Sequence, residues 1–263
     1  MNQNERRLFL IDYLLKEDSR YSDIIIPSNI DDQKRLLRSL MNVRMPKKIS
    51  YEFIKIQDEY LQEELKSKDV TDYKSLTPLQ NEIYLWKGDI TTLKIDGIVN
   101  AANSGMTGCY YPCHGCIDNV IHTYSGVQLR LECAEIMKIQ QHEEPTGKAK
   151  ITKAYNLPCK YIIHTVGPVV NGKLRKDDEN LLASCYRSCL ELANKNGLHS
   201  IAFCCISTGE FHFPNKRAAE IAVQTVRKFK KATGSRIDVV FNVFKEYDYE
   251  IYKKLLKTIG GCI

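Results

Sequence analysis

The chain has 263 residues, enough for one large domain or for a medium domain with an extension. Its 43% hydrophobic and 27% charged residues are those of a soluble globular protein, and no run approaches the roughly 18 apolar residues that argue for a membrane span. The formal net charge of +6 suits an anionic ligand, but it is too small and too dispersed to argue for nucleic acid.

The opening stretch, MNQNERRLFLIDYLLKED, has charges on both sides of a short mixed run. It lacks an apolar core followed by small residues, so it does not read as a signal peptide, and a cytoplasmic location is expected. Residues 1–80 read as all-helical. ERRLFLIDYLLKE has apolar residues at helical spacing, DDQKRLLRSLMNVRMP starts acidic and stops at Pro46, and YEFIKIQDEYLQEELKSK repeats the amphipathic pattern. This region contains no glycine, cysteine or histidine, so it offers little chemistry and reads as a helical extension capping a main domain. The polar stretch SKDVTDYKSLTP marks the boundary, and the main domain is taken as 82–258.

From Glu82 the pattern alternates. IYLWKGD and DGIVNAAN read as strands, and IDNVIHTYSG and VQLRLECAEIMKIQ as helices. AKITKAYNLP and YIIHTVGP are strands, and ENLLASCYRSCLELANKNG is a helix with glycine just past its end. SIAFCCIS is a buried strand, NKRAAEIAVQTVRKFKK a helix and IDVVFNVF a strand. EYDYEIYKKLLKTIG closes the chain as a helix. Such alternation implies an α/β fold with helices on both faces of a sheet, and ligands in such folds bind at the carboxyl ends of the strands.

Four loops at those ends carry the chemistry. In GDIT, Asp89 could accept from a ribose or an exocyclic amine, although Asp after Gly is more often a turn residue. In NAANSG, Asn100 and Asn103 bracket two alanines that let a ligand approach, and asparagine suits sugar hydroxyls. In STGEFHFPNKRAA, the Ser-Thr-Gly turn can form an anion nest, with Phe211, His212 and Phe213 as covering residues.

The third loop, GCYYPCHGC, holds three of the ten cysteines within eight residues, whereas the others are scattered through apolar segments as small buried hydrophobes. Cys109, His114 and Cys116 form a C-x4-H-x-C array that fits zinc. Cys113 is adjacent to His114, and adjacent side chains rarely reach one tetrahedral ion. Without it the fourth position is open, as in catalytic zinc; with it the site is closed and structural. The helix that follows would present free amides to a phosphate beside the metal, with Asp118 in its first turn and His122 as a packing histidine.

GDIT, DGIVNAAN, C-I-D-N-x-I-H-x-x-S-G, G-K-A-x-I-T, IIHTVGP and STGEFHFP, in this order, resemble the macrodomain over residues 82 to about 258. The C-x4-H-x-C insert and the helical extension make the chain similar to the zinc-dependent bacterial macrodomains, which are ADP-ribosylhydrolases, some linked to sirtuins. The resemblance implies a three-layer α/β/α sandwich with a central mixed sheet of about six strands. It implies a Zn2+ cofactor on Cys109, His114 and Cys116, with Asn103 and Asp118 as catalytic residues at the distal ribose. Asp89 and Ile90 would meet the adenine, Phe244 would pack near it, and Ile117, Asp118 and Ser207, Thr208, Gly209, Glu210 and Phe211 would grip the diphosphate. The implied partners are ADP-ribose and a mono-ADP-ribosylated protein, such as a lipoate-carrier protein modified by a sirtuin, linked through Asp or Glu esters and met by a monomer. The rival expectations are an ADP-ribose reader with a structural zinc and, more remotely, an RNA-binding zinc knuckle.

Overall fold

The computed structural model describes residues 1–257. Three helices open the chain: α1 (Gln3–Glu17), α2 (Ile30–Val43) and α3 (Tyr51–Lys66). Each starts where a side chain satisfies an orphan helix amide. Asn2 accepts from the Glu5 amide in a capping box, Asn29 from those of Asp31 and Asp32, and Ser50 from that of Phe53. Their apolar faces bury Leu10, Ile11, Leu37, Leu40, Phe53 and Tyr60 in a core of their own, and Val127 is the residue of the main domain that joins it.

Residues 1–80 are not all-helical as expected, because the boundary stretch contains a short strand. Thr71–Asp72 (β1) pairs in parallel with Leu93–Lys94 (β3), on either side of β2 (Ile83–Lys87). Then follow β4 (Gly97–Ala102), α4 (Ile117–Ser125), α5 (Val127–Gln140), β5 (Ala149–Lys153), β6 (Tyr161–Val166), α6 (Lys176–Lys195), β7 (Ser200–Phe203), α7 (Asn215–Thr233), β8 (Asp238–Val243) and α8 (Glu246–Lys257). The expected closing-helix residues 258–260, and with them the last residue of the 82–258 span, lie outside the described residues, as does Cys262.

The six-stranded sheet runs β2-β8-β7-β4-β6-β5. Neighbours are parallel except β5 and β6, so the sheet is mixed, with helices on both faces. Buried on both sides, β4, β7 and β8 read as near-continuous apolar runs. Because β2, β8, β7 and β4 are mutually parallel, the loops after Lys87, Val243, Phe203 and Ala102 gather at one end of the sheet. Among the described residues no helix is long and apolar enough to cross a membrane.

Polar bonds join the helical layer to the sandwich. Arg130, buried on α5, donates through Nη1 to the carbonyls of Met41, Asn42 and Arg44, which are the unsatisfied carbonyls at the end of α2. Gln57, on α3, accepts from the Val127 amide at 2.9 Å and donates to Gln128 Oε1 at 2.7 Å. Between α4 and α5, Gly126 takes φ 94° and ψ 173°, a conformation essentially reserved for glycine. A Cβ there would also lie 2.5 Å from Gln57 Nε2. Gly126→Ala should therefore lower unfolding stability by about 1–3 kcal/mol in denaturant titration. A loss of less than about 0.5 kcal/mol, the range of ordinary surface changes, would show that this junction is not constrained as described.

Candidate active site and metal centre

The site begins with a buried carboxylate. Asp118, in the first turn of α4, is only 5% exposed. Asn100, fully buried in β4, donates through Nδ2 to Asp118 Oδ1 at 2.8 Å and to His164 Nδ1 at 3.1 Å. Asn103, exposed just beyond β4, donates to Asp118 Oδ2 at 3.3 Å and to the Gly108 carbonyl at 3.1 Å. Burial raises the Asp118 carboxyl to about 6, against the downward pull of the Asn100 hydrogen bond and the Arg130 charge. Asn100 is thus not free for a sugar hydroxyl as its loop position suggested. It orients the carboxylate, and Asn103 is the asparagine that faces outward.

His122 lies one turn further along α4, with Nε2 3.6 Å from Asp118 Oδ1. Both its ring nitrogens are buried without a partner, and burial holds its pKa well below the usual range, so it is neutral. It packs as expected, beneath Gly108, whose φ of +87° brings the loop backbone against the ring. His122, Cys133 and His164 also place ligand atoms within 4.8 Å of one another. His164 is spent, however: its Nδ1 accepts from Asn100, so Nε2 carries the proton and donates to Thr152 Oγ1 at 2.9 Å. This second trio is a packed core cluster.

The metal loop is different. Cys109, His114 and Cys116 are half-buried and bring their ligand atoms within 4.8 Å of one another, with His114 Nδ1 3.6 Å from Cys109 Sγ. Two soft thiols and an imidazole in that span fit zinc. Cys113 is outside the trio: its Sγ sits 3.1 Å from Ser39 Oγ on α2. Cys116 is also the N-cap of α4, and its sulfur accepts from the Asn119 amide at 3.4 Å. Burial pushes the Cys116 thiol up to about 12 while that amide pulls it down, so metal uptake would expel a proton. His114 Nε2 lies 3.7 Å from Glu210 Oε1, which brings the loop after β7 against the candidate metal loop.

The other expected residues fall around the same end of the sheet. Ile117 is half-buried, and its amide and that of Asp118, at the start of α4, have no intrahelical acceptor. Ser207 is buried with φ +66°, and Gly167 passes so close that a Cβ there would meet Ser207 Oγ at 2.0 Å. Thr208 turns its hydroxyl to the Cys205 carbonyl. The turn is closed by His212 N donating to Gly209 O at 3.0 Å and Phe213 N to Ser207 O at 2.9 Å. Among the described residues the amides of Gly209, Glu210 and Phe211 find no acceptor, which is the arrangement of an anion nest. Phe211 is half-buried, but Phe213 is core and cannot cover a ligand. Asp89 caps a short 3-10 turn by accepting from the Thr91 amide and hydroxyl through Oδ1, while Oδ2 is 3.8 Å from Lys68 Nζ. Ile90 is buried, so only its backbone is available to a ligand, whereas Phe244 is 77% exposed.

Asn119 and the α2 residues Arg38 and Asn42, which brace the metal loop, escaped the sequence reading. An asparagine directly after Asp118 was visible, but its buried partners on the loop were not.

The Macro domain family matches residues 99–222. A Treponema medium "Protein-ADP-ribose hydrolase" is 58% identical over 260 residues, covering 97% of this chain and 100% of that protein. A Staphylococcus aureus (strain MSSA476) protein of the same description is 50% identical over 257 residues, covering 97% of this chain and 96% of the relative. Among solved structures, the Trypanosoma brucei macrodomain in complex with ADP-ribose superposes with a TM-score of 0.65 at 34% identity, covering 83% of this chain and 94% of its own.

Ionising Asp118 should cost the fold stability. Its folded pKa is raised from 3.8 to about 6, so its stabilising share is complete below pH 3.8 and is lost as the pH rises through 6. In metal-free protein, Asp118→Asn should raise unfolding free energy at pH 7.5 by an amount on the order of 1–3 kcal/mol, and the gain should shrink towards zero near pH 4. A variant less stable than the parent at pH 7.5 would contradict the strained carboxylate.

Proposed function

The chain belongs to the macrodomain family, and from that premise we propose that it hydrolyses mono-ADP-ribose from modified protein side chains, with zinc at the reacting end. The observation that carries this reading is the first turn of α4. There Cys116, a metal-ligand candidate, and Asp118, a buried carboxylate, stand two residues apart at the start of one helix.

The amides of Ile117 and Asp118, with those of Gly209, Glu210 and Phe211, would hold the diphosphate, two anion sites facing each other across the cleft. Asp89 and Phe244 would hold the adenine. The distal ribose would then lie against Asn103 and Asp118, and Asn103 would orient its hydroxyls. The bond to be cut joins ribose C1 to a side-chain oxygen, most simply an Asp or Glu ester. Water adds its oxygen at C1, Asp118 takes the water proton, and the carboxylate of the target leaves. A carboxyl near 6 is ionised at neutral pH yet basic enough for this transfer. Cys109, His114 and Cys116 would hold a zinc ion, which would supply Lewis acidity when bound. Fixed adenine and diphosphate supply the positioning.

A reader with a structural zinc would need Cys113 as the closing ligand. The position of its sulfur against Ser39 of α2 favours the open site instead. The target would be a mono-ADP-ribosylated protein; a sirtuin-modified lipoate carrier is the one the sequence resemblance suggests.

A release assay on aspartate- or glutamate-modified protein, paired with metal analysis, tests the reading. Stoichiometric zinc is expected, and Cys116→Ala or a strong chelator should abolish turnover. Undiminished hydrolysis by metal-free protein would sink the zinc mechanism. Asp118→Asn should lower kcat by about 10²–10⁴-fold while ADP-ribose affinity by calorimetry changes little. Turnover retained within a few-fold in that variant would remove Asp118 from the chemistry.

A further inference from the structure

The helical extension does more than shield the sandwich. Arg38, on α2, donates through Nη2 to the His114 carbonyl at 2.8 Å and to Asn119 Oδ1 at 2.9 Å. Asn119 is fully buried and donates through Nδ2 to the carbonyls of Tyr111 at 2.9 Å and Cys109 at 3.5 Å, while its amide meets Cys116 Sγ. One arginine–asparagine pair therefore touches the residues of all three candidate ligands.

Cys113 is held by the same helix, but away from them. Its amide donates to Asn42 Oδ1 at 2.9 Å, and its Sγ lies 3.1 Å from Ser39 Oγ and 3.5 Å from the Arg35 carbonyl. The residue has φ +53°, the left-handed region that disfavours any residue bearing a Cβ. Asn42 is itself anchored: it is 1% exposed, its Nδ2 donates to Thr123 Oγ1 at 2.9 Å, and its carbonyl accepts from Arg130 at 2.6 Å. A conformation that the loop would not choose is imposed from outside it.

We propose that α2 acts as a jig that limits the metal centre to three protein ligands by holding Cys113 out of it. The inference rests on the zinc reading above. A thiolate is a far better zinc ligand than a sugar or water oxygen. Cys113 lies in the same short loop as Cys109 and His114, and adjacency to His114 hinders but does not forbid a shared ion, so a loop released from α2 would offer its sulfur as the fourth ligand and shut out substrate. Arg38 and Asn42 act through loop backbone and are positioning residues.

Cobalt(II) in place of zinc reads this directly, because thiolate-to-cobalt charge-transfer absorption grows with each sulfur bound. The full chain should show two thiolates. Asn42→Ala should gain the intensity of a third, hold the metal more tightly and lose release activity by about 10- to 100-fold. Adding Cys113→Ser to Asn42→Ala should return the spectrum to two thiolates and restore activity, and Cys113→Ser alone should leave both unchanged. Arg38→Ala, at a side chain only partly buried, should move the spectrum in the same direction if Asn42→Ala folds poorly. A two-thiolate spectrum with parental activity in Asn42→Ala, or no rescue by Cys113→Ser, would overturn the proposal. A parent chain with no thiolate-to-cobalt band would instead overturn the zinc reading itself.

Discussion

Keeping a carboxylate charged inside the fold is the constraint on which the site depends. Asp118 is buried, so it must be hydrogen-bonded or it will neutralise. β4 solves this by spending Asn100 in its interior, a polar side chain in an otherwise apolar strand, and by placing Asn103 just past its end at Ala102. His164 on β6 is committed in turn, because it accepts from Asn100 and donates to Thr152. Three adjacent strands are thereby tied to one side chain at the mouth of the cleft. The carboxyl stays elevated even so, which suits the base role proposed for it.

Much of this could be read from the chain. Alternating apolar runs located the six strands of the main sheet and the helices α4 to α8, because strands buried on both faces and helices with one apolar face leave different periods, whereas the two-residue β1 and β3 left no such signal. The C-x4-H-x-C spacing picked out a trio that the fold gathers, but adjacency to His114 left Cys113 open as a fourth ligand, and only its contacts with α2 set it apart. Side-chain direction was not legible. Phe213 looked like a ligand cover in its loop but points into the core, and Asn100 faces Asp118. Partners distant in sequence were invisible: Arg38 meets Asn119 across 81 residues and Asn42 meets Cys113 across 71. A helical extension without cysteine or histidine seemed chemically idle for the same reason. Its contribution is geometric, made by common polar residues whose role exists only in three dimensions.

The extension also alters what the metal loop can be. A loop of this length closing around an ion would be free to use every sulfur it carries. Here its backbone is pinned at Cys109, Tyr111, Cys113 and His114 by Asn119, Arg38 and Asn42, and the same first turn of α4 supplies the Cys116 sulfur and the amides offered to phosphate. The candidate metal and anion positions and the carboxylate are therefore not independent. They are set by one helical turn and by the layer that braces it, and a shift in α2 would disturb all three together.

The central claim is an open metal centre that meets the distal ribose of the ligand. X-ray absorption at the zinc edge, recorded on the full chain with and without ADP-ribose, tests it most directly. The account predicts two sulfur neighbours in both states and a change in the light-atom shell when ADP-ribose is added. Three sulfur neighbours, with a spectrum indifferent to ADP-ribose, would contradict it.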